Sequence, residues 1–236
     1  MSKKIHTIQS SDKIEFDKEV NFFLELGCEL LEGSYEVVKE DNGNVYSQVV
    51  TIDTDKYDVE YYEDGQTKYF GSLNKDGDKD GLSTSWYENG QKDLVVTYKD
   101  GKEDGKWTKW YESGQKDQEV TYKNGKEDGK WTYWYENGKK EEEGTYKDGK
   151  KDGKWTYWYK NGQKKDEGTY KNGKFDGKWT KWYDNGEKKR EITYKNGFKD
   201  GLHTSWYENG QKRQEGTHKD GKSDGLVTFW YRNGQK

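Results

Sequence analysis

A beat of 24 residues constrains this chain more than any other feature. Tryptophan recurs at Trp86, Trp110, Trp134, Trp158, Trp182, Trp206 and Trp230, and glycine keeps the same interval at Gly81, Gly105, Gly129, Gly153, Gly177, Gly201 and Gly225. A fixed period of that length belongs to repeat proteins, in which each unit packs only on its neighbours. Such an array offers a long surface rather than a pocket. Architecture is therefore more legible than ligand.

Charged residues make up 37% of the chain and hydrophobic ones only 28%, a balance that normally leaves a chain disordered. The 16% of aromatic residues argues against that, since disordered chains are poor in Trp and Tyr. Charge is unevenly placed: residues 1–56 carry a balance of −6 and residues 57–236 one of +2. Neither half looks like a nucleic-acid binder. The absence of proline fits a continuous sheet in which every backbone N–H has a ladder partner. The N-terminus lacks an apolar signal core, and no stretch approaches the ~20 apolar residues of a membrane span. The sequence reads as cytoplasmic.

Two regions separate. Residues 1–54 do not repeat and read as a small α/β domain, β-α-β-β with an extra short strand at Leu30–Leu31. Lys4–Ile8 alternates as a strand. Asp12 offers an N-cap with Glu15 three residues on, and Phe16, Val20, Phe23 and Leu24 share one helical face ended by Gly27. Tyr35–Lys39 and Val45–Ile52 read as strands joined across Asp41-Asn42-Gly43. A unit this small is marginal alone, so it is expected to cap the array.

Residues 55–236 form the array. In the unit that starts at Gly129, Asn137-Gly138 and Asp148-Gly149 are turn signals of the type I′ kind, with both central residues at positive φ. Thr-, Trp- and Tyr-rich runs lie between them. Each period is therefore two antiparallel strands and two turns, with a degenerate earlier unit at Tyr61–Gly65. A two-residue loop at Ser113-Gly114 puts Glu112 opposite Gln115, Tyr111 opposite Lys116 and Trp107 opposite Val120. One face then carries Trp107, Tyr111, Val120 and Tyr122, and the other Trp110, Thr108 and Thr121. Where Val120 is replaced by Gly144, Trp131 is expected to cover the strand glycine. Two strands per period space the copies of Trp110 by ~10 Å. The fold expected is mainly β: an elongated single-layer antiparallel meander of hairpin repeats, with a small N-terminal α/β cap.

The residues Gly-Lys-Trp-Thr-Tyr-Trp-Tyr-Glu-Asn-Gly at 129–138, with the Tyr-Lys-Asp-Gly-Lys hairpin at 146–150, resemble the bacterial variant of the MORN repeat. The likeness recurs over roughly residues 57–236. It implies hairpin repeats stacked into a sheet, and scaffolding or partner binding rather than catalysis. Some bacterial members carry a YwqK-type antitoxin label. The basic patches of the membrane-linked eukaryotic repeats are not evident here.

Catalytic groups are sparse. His6, His203 and His218 are the only histidines; His203 stands where other units have Trp, and His218 where they have Tyr. Both read as aromatic stand-ins, and no Cys/His/Asp cluster has ligand spacing. Cys28 is the single cysteine and excludes an internal disulfide. Asp76-Gly77-Asp78-Lys79-Asp80-Gly81 imitates the start of a calcium loop, but position 12 is Tyr87 rather than a bidentate Glu, so it reads as a repeat turn. No catalytic residue, metal or cofactor is expected. The expected binding surface is aromatic: Trp107, Trp110, Tyr111, Trp131, Trp134, Tyr135, Trp155, Trp158, Tyr159, Trp179, Trp182 and Tyr183. Its expected partner is a protein. The alternative is a carbohydrate or choline-like ligand stacked on the rings. The last strand, around Leu226–Tyr231, is apolar and without a return strand, and is expected to support self-association.

Overall fold

The computed structural model describes residues 3–10, 29–30, 36–40 and 43–53 by their backbone, and residues 56–236 in full. The expected helix from Asp12 to Gly27, Cys28 and the turn residues Asp41 and Asn42 lie outside the described residues. The chain divides into two compact units, Met1–Gly81 and Leu82–Lys236. In the first unit, β1 (Lys3–Ser10), β2 (Glu29–Leu30), β3 (Glu36–Glu40) and β4 (Gly43–Asp53) form one sheet. Its long member β4 pairs antiparallel with the other three, Ile5 opposite Thr51, Leu30 opposite Val50 and Val38 opposite Val45. The expected strands are all present within one or two residues at each end.

Every later strand belongs to one open antiparallel sheet of 16 strands, ordered as in the chain. It starts with β5 (Tyr57–Tyr61), β6 (Thr67–Leu73), β7 (Lys79–Trp86), β8 (Lys92–Lys99), β9 (Lys102–Trp110) and β10 (Lys116–Lys123). It continues with β11 (Lys126–Trp134), β12 (Lys140–Lys147), β13 (Lys150–Trp158), β14 (Lys164–Lys171), β15 (Lys174–Phe175) and β16 (Gly177–Trp182). It ends with β17 (Lys188–Lys195), β18 (Phe198–Trp206), β19 (Lys212–Lys219) and β20 (Lys222–Phe229). β15 and β16 are one interrupted strand, both paired with β14.

The two turns of each period differ. At Asp148-Gly149 both residues have positive φ, 50° and 76°, the type I′ geometry expected. At Asn137-Gly138 only Gly138 does, at 77°. There Tyr135 N–H donates to Lys139 C=O and Gly138 N–H to Tyr135 C=O, a three-residue loop closed by a glycine bulge. The same loop at Glu112–Gly114 corrects the expected pairing: Tyr111 faces Gln115, and Trp110 faces Lys116. The longer loop takes one residue more on its N-terminal side. A bulge at Asp117 takes one on the other strand, so Trp107 still faces Val120.

The 24-residue glycine has its reason in a second bulge. Gly129 lies inside β11 at φ 118°, where the register against β10 shifts between Val120 and Tyr122. A Cβ there would meet Cβ of Thr121 at 3.1 Å. Both the left-handed backbone and the close approach require glycine.

That bulge decides which ring is buried. In register Trp131 faces Gly144, but the ring lying on Gly144 is that of Trp155, one strand on, and the ring on Gly168 is that of Trp179. The expectation that Trp131 covers Gly144 is therefore corrected. The shift at Gly153 swings Trp155 over the space that a missing Cβ leaves. Trp155 is 0% exposed and Trp179 6%. Trp107 and Trp131 meet Val96 and Val120 instead, find no such space, and stay half-buried. Val96, Val120 and Ile192 supply the rest of a narrow core on this face.

Candidate interaction surface

Strand alternation sorts the expected site residues onto two faces. Trp110, Trp134, Trp158 and Trp182 share theirs with the buried threonines Thr108, Thr132, Thr156 and Thr180. A lysine of the preceding hairpin covers each later ring of this row: Lys116 Nζ lies 5.8 Å from the Trp134 ring centre, Lys140 5.9 Å from Trp158 and Lys164 5.7 Å from Trp182. Those lysines also pair with glutamates. Glu143 holds both Lys140, at 2.8 Å, and Lys130, at 3.3 Å. The hydrogen bond from Lys140 holds the Glu143 carboxyl below its ordinary range, against the opposing effect of burial. The same paired glutamate recurs as Glu119, Glu167 and Glu191. Exposed pairs of this kind contribute at most about 1 kcal/mol each. This face is a roofed, charge-balanced lattice.

Tyr111, Tyr135, Tyr159 and Tyr183 link repeats. Each hydroxyl donates to a backbone carbonyl one period on, that of Trp134, Trp158, Trp182 and Trp206, at 2.7–2.9 Å. Asn137 and Asn161 do the same from turn to turn, reaching the carbonyls of Lys160 and Asp184. Burial, with the negative charge of Asp117 close by, pushes the Tyr111 hydroxyl up to about 12. These groups join one hairpin to the next. The turn at Asp76 is ordinary repeat chemistry too: Asn74 Oδ1 accepts from the backbone N–H of Asp76 and of Asp78.

The opposite face carries Trp107, Trp131, Trp155 and Trp179, and the rings of the last three join one cluster with neighbouring tyrosines. Trp131 meets Tyr133 at 5.3 Å and Tyr146 at 4.7 Å; Tyr146 meets Trp155 edge-on at 5.1 Å, and Tyr170 meets Trp179 at 5.3 Å. Edge-on and tilted pairs of this sort add about 0.5–1.5 kcal/mol beyond burial.

On that face one variable position changes the character of the repeats. It is Lys79, Glu103, Glu127, Lys151, Phe175, Lys199 and Ser223 in successive units. Lys151 puts its ammonium 3.7 Å from the Trp155 ring centre and 5.2 and 5.7 Å from those of Tyr157 and Tyr170. It also donates to Tyr157 Oη at 2.8 Å and pairs with Glu142 at 2.6 Å. Three rings and a carboxylate thus enclose one cation. Burial drives the Tyr157 hydroxyl far above its ordinary range, so it stays protonated. In the next unit Phe175 plugs the same spot, 4.6 Å from Trp179 and 4.8 Å from Tyr170. One unit earlier Trp131 packs on Tyr133 and Tyr146, and Glu127 stands at the sequence position of Lys151, making no ion pair among the described residues. That frame has the rings, with Gln118 in the place of Glu142 and Glu127 in the place of the cation.

A family model described as the MORN repeat variant matches residues 79–100, 103–124, 127–148, 151–172, 175–196 and 199–220, six copies in tandem. The chain belongs to this family. Apart from the start of the first, the boundaries of the MORN copies fall at the type I′ turns, so one copy is one bulged strand, one three-residue loop and its return strand. The hairpin at β5–β6 has the same loop, with Gly65 N–H donating to Tyr62 C=O, although no copy is matched there. The family is a repeat-type binding or scaffold module. The chain has no significant match among curated proteins. Among the described residues no helix is long and apolar enough to cross a membrane.

The enclosed lysine went unread in the sequence because lysine is everywhere in it. Its signal is visible only when periods are aligned: one column runs Lys, Glu, Glu, Lys, Phe, Lys, Ser while its neighbours barely change.

Proposed function

We propose that this MORN-variant array is a non-enzymatic binding module that holds a protein partner along the face of Trp107, Trp131, Trp155 and Trp179. One observation carries the reading. Trp131, Tyr133 and Tyr146 are part-exposed, Trp131 packs on both tyrosines, and Glu127 holds the position at which one repeat later Lys151 is enclosed by the matching rings. Rigid aromatic anchors beside a carboxylate suit a basic or aromatic side chain of a partner. Trp110, Trp134, Trp158 and Trp182 serve cohesion on this reading, because lysines already cover the last three rings of that row. Residues 1–54 act as a cap or a second contact. An antitoxin-like role is one form of the same activity, tested by co-expression with a toxin encoded beside the gene.

Affinity capture with three forms of the chain tests the face. Glu127→Lys fills the frame as Lys151 fills its own, and Lys130→Glu alters the opposite face. A partner held by wild type and by Lys130→Glu but released by Glu127→Lys carries the reading. A partner lost only to Lys130→Glu sinks it. A second reading, a choline-like ligand, is favoured by the cation enclosed at Lys151. It predicts a saturable change in tryptophan fluorescence with choline that Glu127→Lys abolishes.

A further inference from the structure

The frame that encloses Lys151 is rebuilt in the copy at 199–220 with its chemistry inverted. Lys199 stands at the position of Lys151, His203 at that of Trp155, Ser205 at that of Tyr157 and His218 at that of Tyr170. Arg190 replaces the acid Glu142. The register brings these residues together on three adjacent strands: Arg190 faces Ser205, Tyr194 faces Lys199, and His218 faces Gly201, two residues from His203. The two imidazoles are 5.6 Å apart, centre to centre, inclined at 62°.

Its imidazole nitrogens are buried and unsatisfied, while the two cations reach toward solvent. His203 is 7% exposed. Neither of its ring nitrogens has a hydrogen-bond partner, nor has Nδ1 of His218. Native proteins rarely leave buried polar atoms unpaired, and each one so left needs an explanation such as a bound ion. The indoles and phenols of the sister repeats would have filled the same space with fewer unpaired polar atoms. Lys199 and Arg190 also lack ion pairs among the described residues, whereas Lys151 is paired with Glu142. Burial first, then the charges of Lys199 and Arg190, hold His203 well below its ordinary range.

A metal cation would meet two fixed positive charges here. Among the described residues no group of three His, Cys, Asp or Glu side chains surrounds it. An anion meets the reverse: two cations and imidazole N–H donors that now have no acceptor. We propose that Arg190, Lys199, His203 and His218 form a binding site for a doubly charged oxyanion of the phosphate type, free or as the phosphoryl group of a monoester. Guanidinium and ammonium supply the charge, and the imidazoles supply directional hydrogen bonds from a dry wall. Tautomer choice lets each neutral imidazole turn one N–H toward the oxygens.

The full chain tests this in phosphate-free buffer, at constant ionic strength, by imidazole NMR. Only three histidines exist, so the signals are assignable. Inorganic phosphate and phenyl phosphate are titrated separately. The expected result is a saturable shift of His203 and His218 with His6 unmoved. The tighter of the two ligands tells free phosphate from an ester. Arg190→Gln removes an exposed side chain and should weaken binding about tenfold, as loss of one charge-assisted contact does; Lys199→Gln should act alike. Lys188→Gln, on the opposite face beside Glu191, should leave affinity unchanged. No saturable shift with either ligand overturns the proposal. So does equal affinity in Arg190→Gln and Lys199→Gln, or a response to zinc stronger than that to phosphate.

Discussion

Gly144→Ala is the sharpest test of why half of the tryptophans on one face are buried. The backbone at Gly144 is ordinary extended strand, so nothing in φ forbids alanine. The added Cβ, however, would overlap the five-membered edge of the Trp155 ring. The ring must move, and with it go the hydrogen bond from Nε1 to the Thr145 carbonyl, 3.1 Å long, and the close seat of Lys151. Overpacking costs about 1–3 kcal/mol and the lost hydrogen bond about 1 kcal/mol. Reduced freedom of the unfolded chain returns about 0.4–1 kcal/mol. The net is a destabilisation of about 1–3.5 kcal/mol, read as a lower urea midpoint for the repeats around β12 and β13. Arrays can unfold in stages, so amide exchange should accompany the denaturation curve. Gly216→Ala is the control, because its Cβ would meet Val227 at ordinary or slightly tight distances, 3.1 and 3.5 Å from its methyls and 3.6 Å from its Cα. In a Trp155→Ala background Gly144→Ala should be neutral or slightly stabilising, a coupling of about 2 kcal/mol. Equal midpoints for Gly144→Ala and Gly216→Ala, or no coupling in the double variant, would refute the account.

Other outcomes follow from the same geometry. Trp155→Ala should cost about 3–5 kcal/mol, and half-buried Trp131→Ala or Trp134→Ala roughly half of that, by chemical denaturation. Tyr135→Phe strands the Trp158 carbonyl and should cost about 1 kcal/mol with faster exchange at that turn, while Tyr231→Phe, 70% exposed, should change nothing. His203 titrates at about 4 when folded, faced by Arg190 from β17, by Lys199 on its own strand and by His218 from β19, against about 6.5 when unfolded. Its contribution to stability is complete above the unfolded value and is lost as pH falls toward the folded one. In phosphate-free buffer the midpoint should drop over that window, and His203→Trp should flatten the drop; an unchanged pH profile in His203→Trp would count against the assignment. On β20, at the edge of the sheet, Leu226 is 93% and Phe229 62% exposed, so light scattering across a concentration series should detect self-association, and a strict monomer would dismiss it.

Much of the fold was legible because register is counted in whole residues. The facing of Trp107 and Val120 came out right even though the turn was misread, since the three-residue loop and the bulge at Asp117 cancel. Asn137-Gly138 misled because Asn tolerates positive φ but does not require it. The choice of ring above Gly144 could not be counted at all. It depends on how far the bulge at Gly153 swings Trp155, which is a matter of packing. At the interaction surface the histidines were correctly seen to replace aromatics. What they leave unpaired was invisible, because a sequence names donors and acceptors without saying which of them meet.

The hydroxyls of Tyr111, Tyr135 and Tyr159 all reach forward, each to the repeat that follows, and the sheet runs strictly in chain order. Drawn by its two ends, such a sheet meets tension one ladder at a time. No set of strands shares the load in parallel, as it does where the terminal strands lie side by side and shear. Each step peels one hairpin, snaps one forward tyrosine bond and releases 24 residues of slack, while the remaining repeats keep their pairing. The array would lengthen by repeated small yields at low force instead of failing at one threshold, and would shorten again hairpin by hairpin when the pull is relaxed.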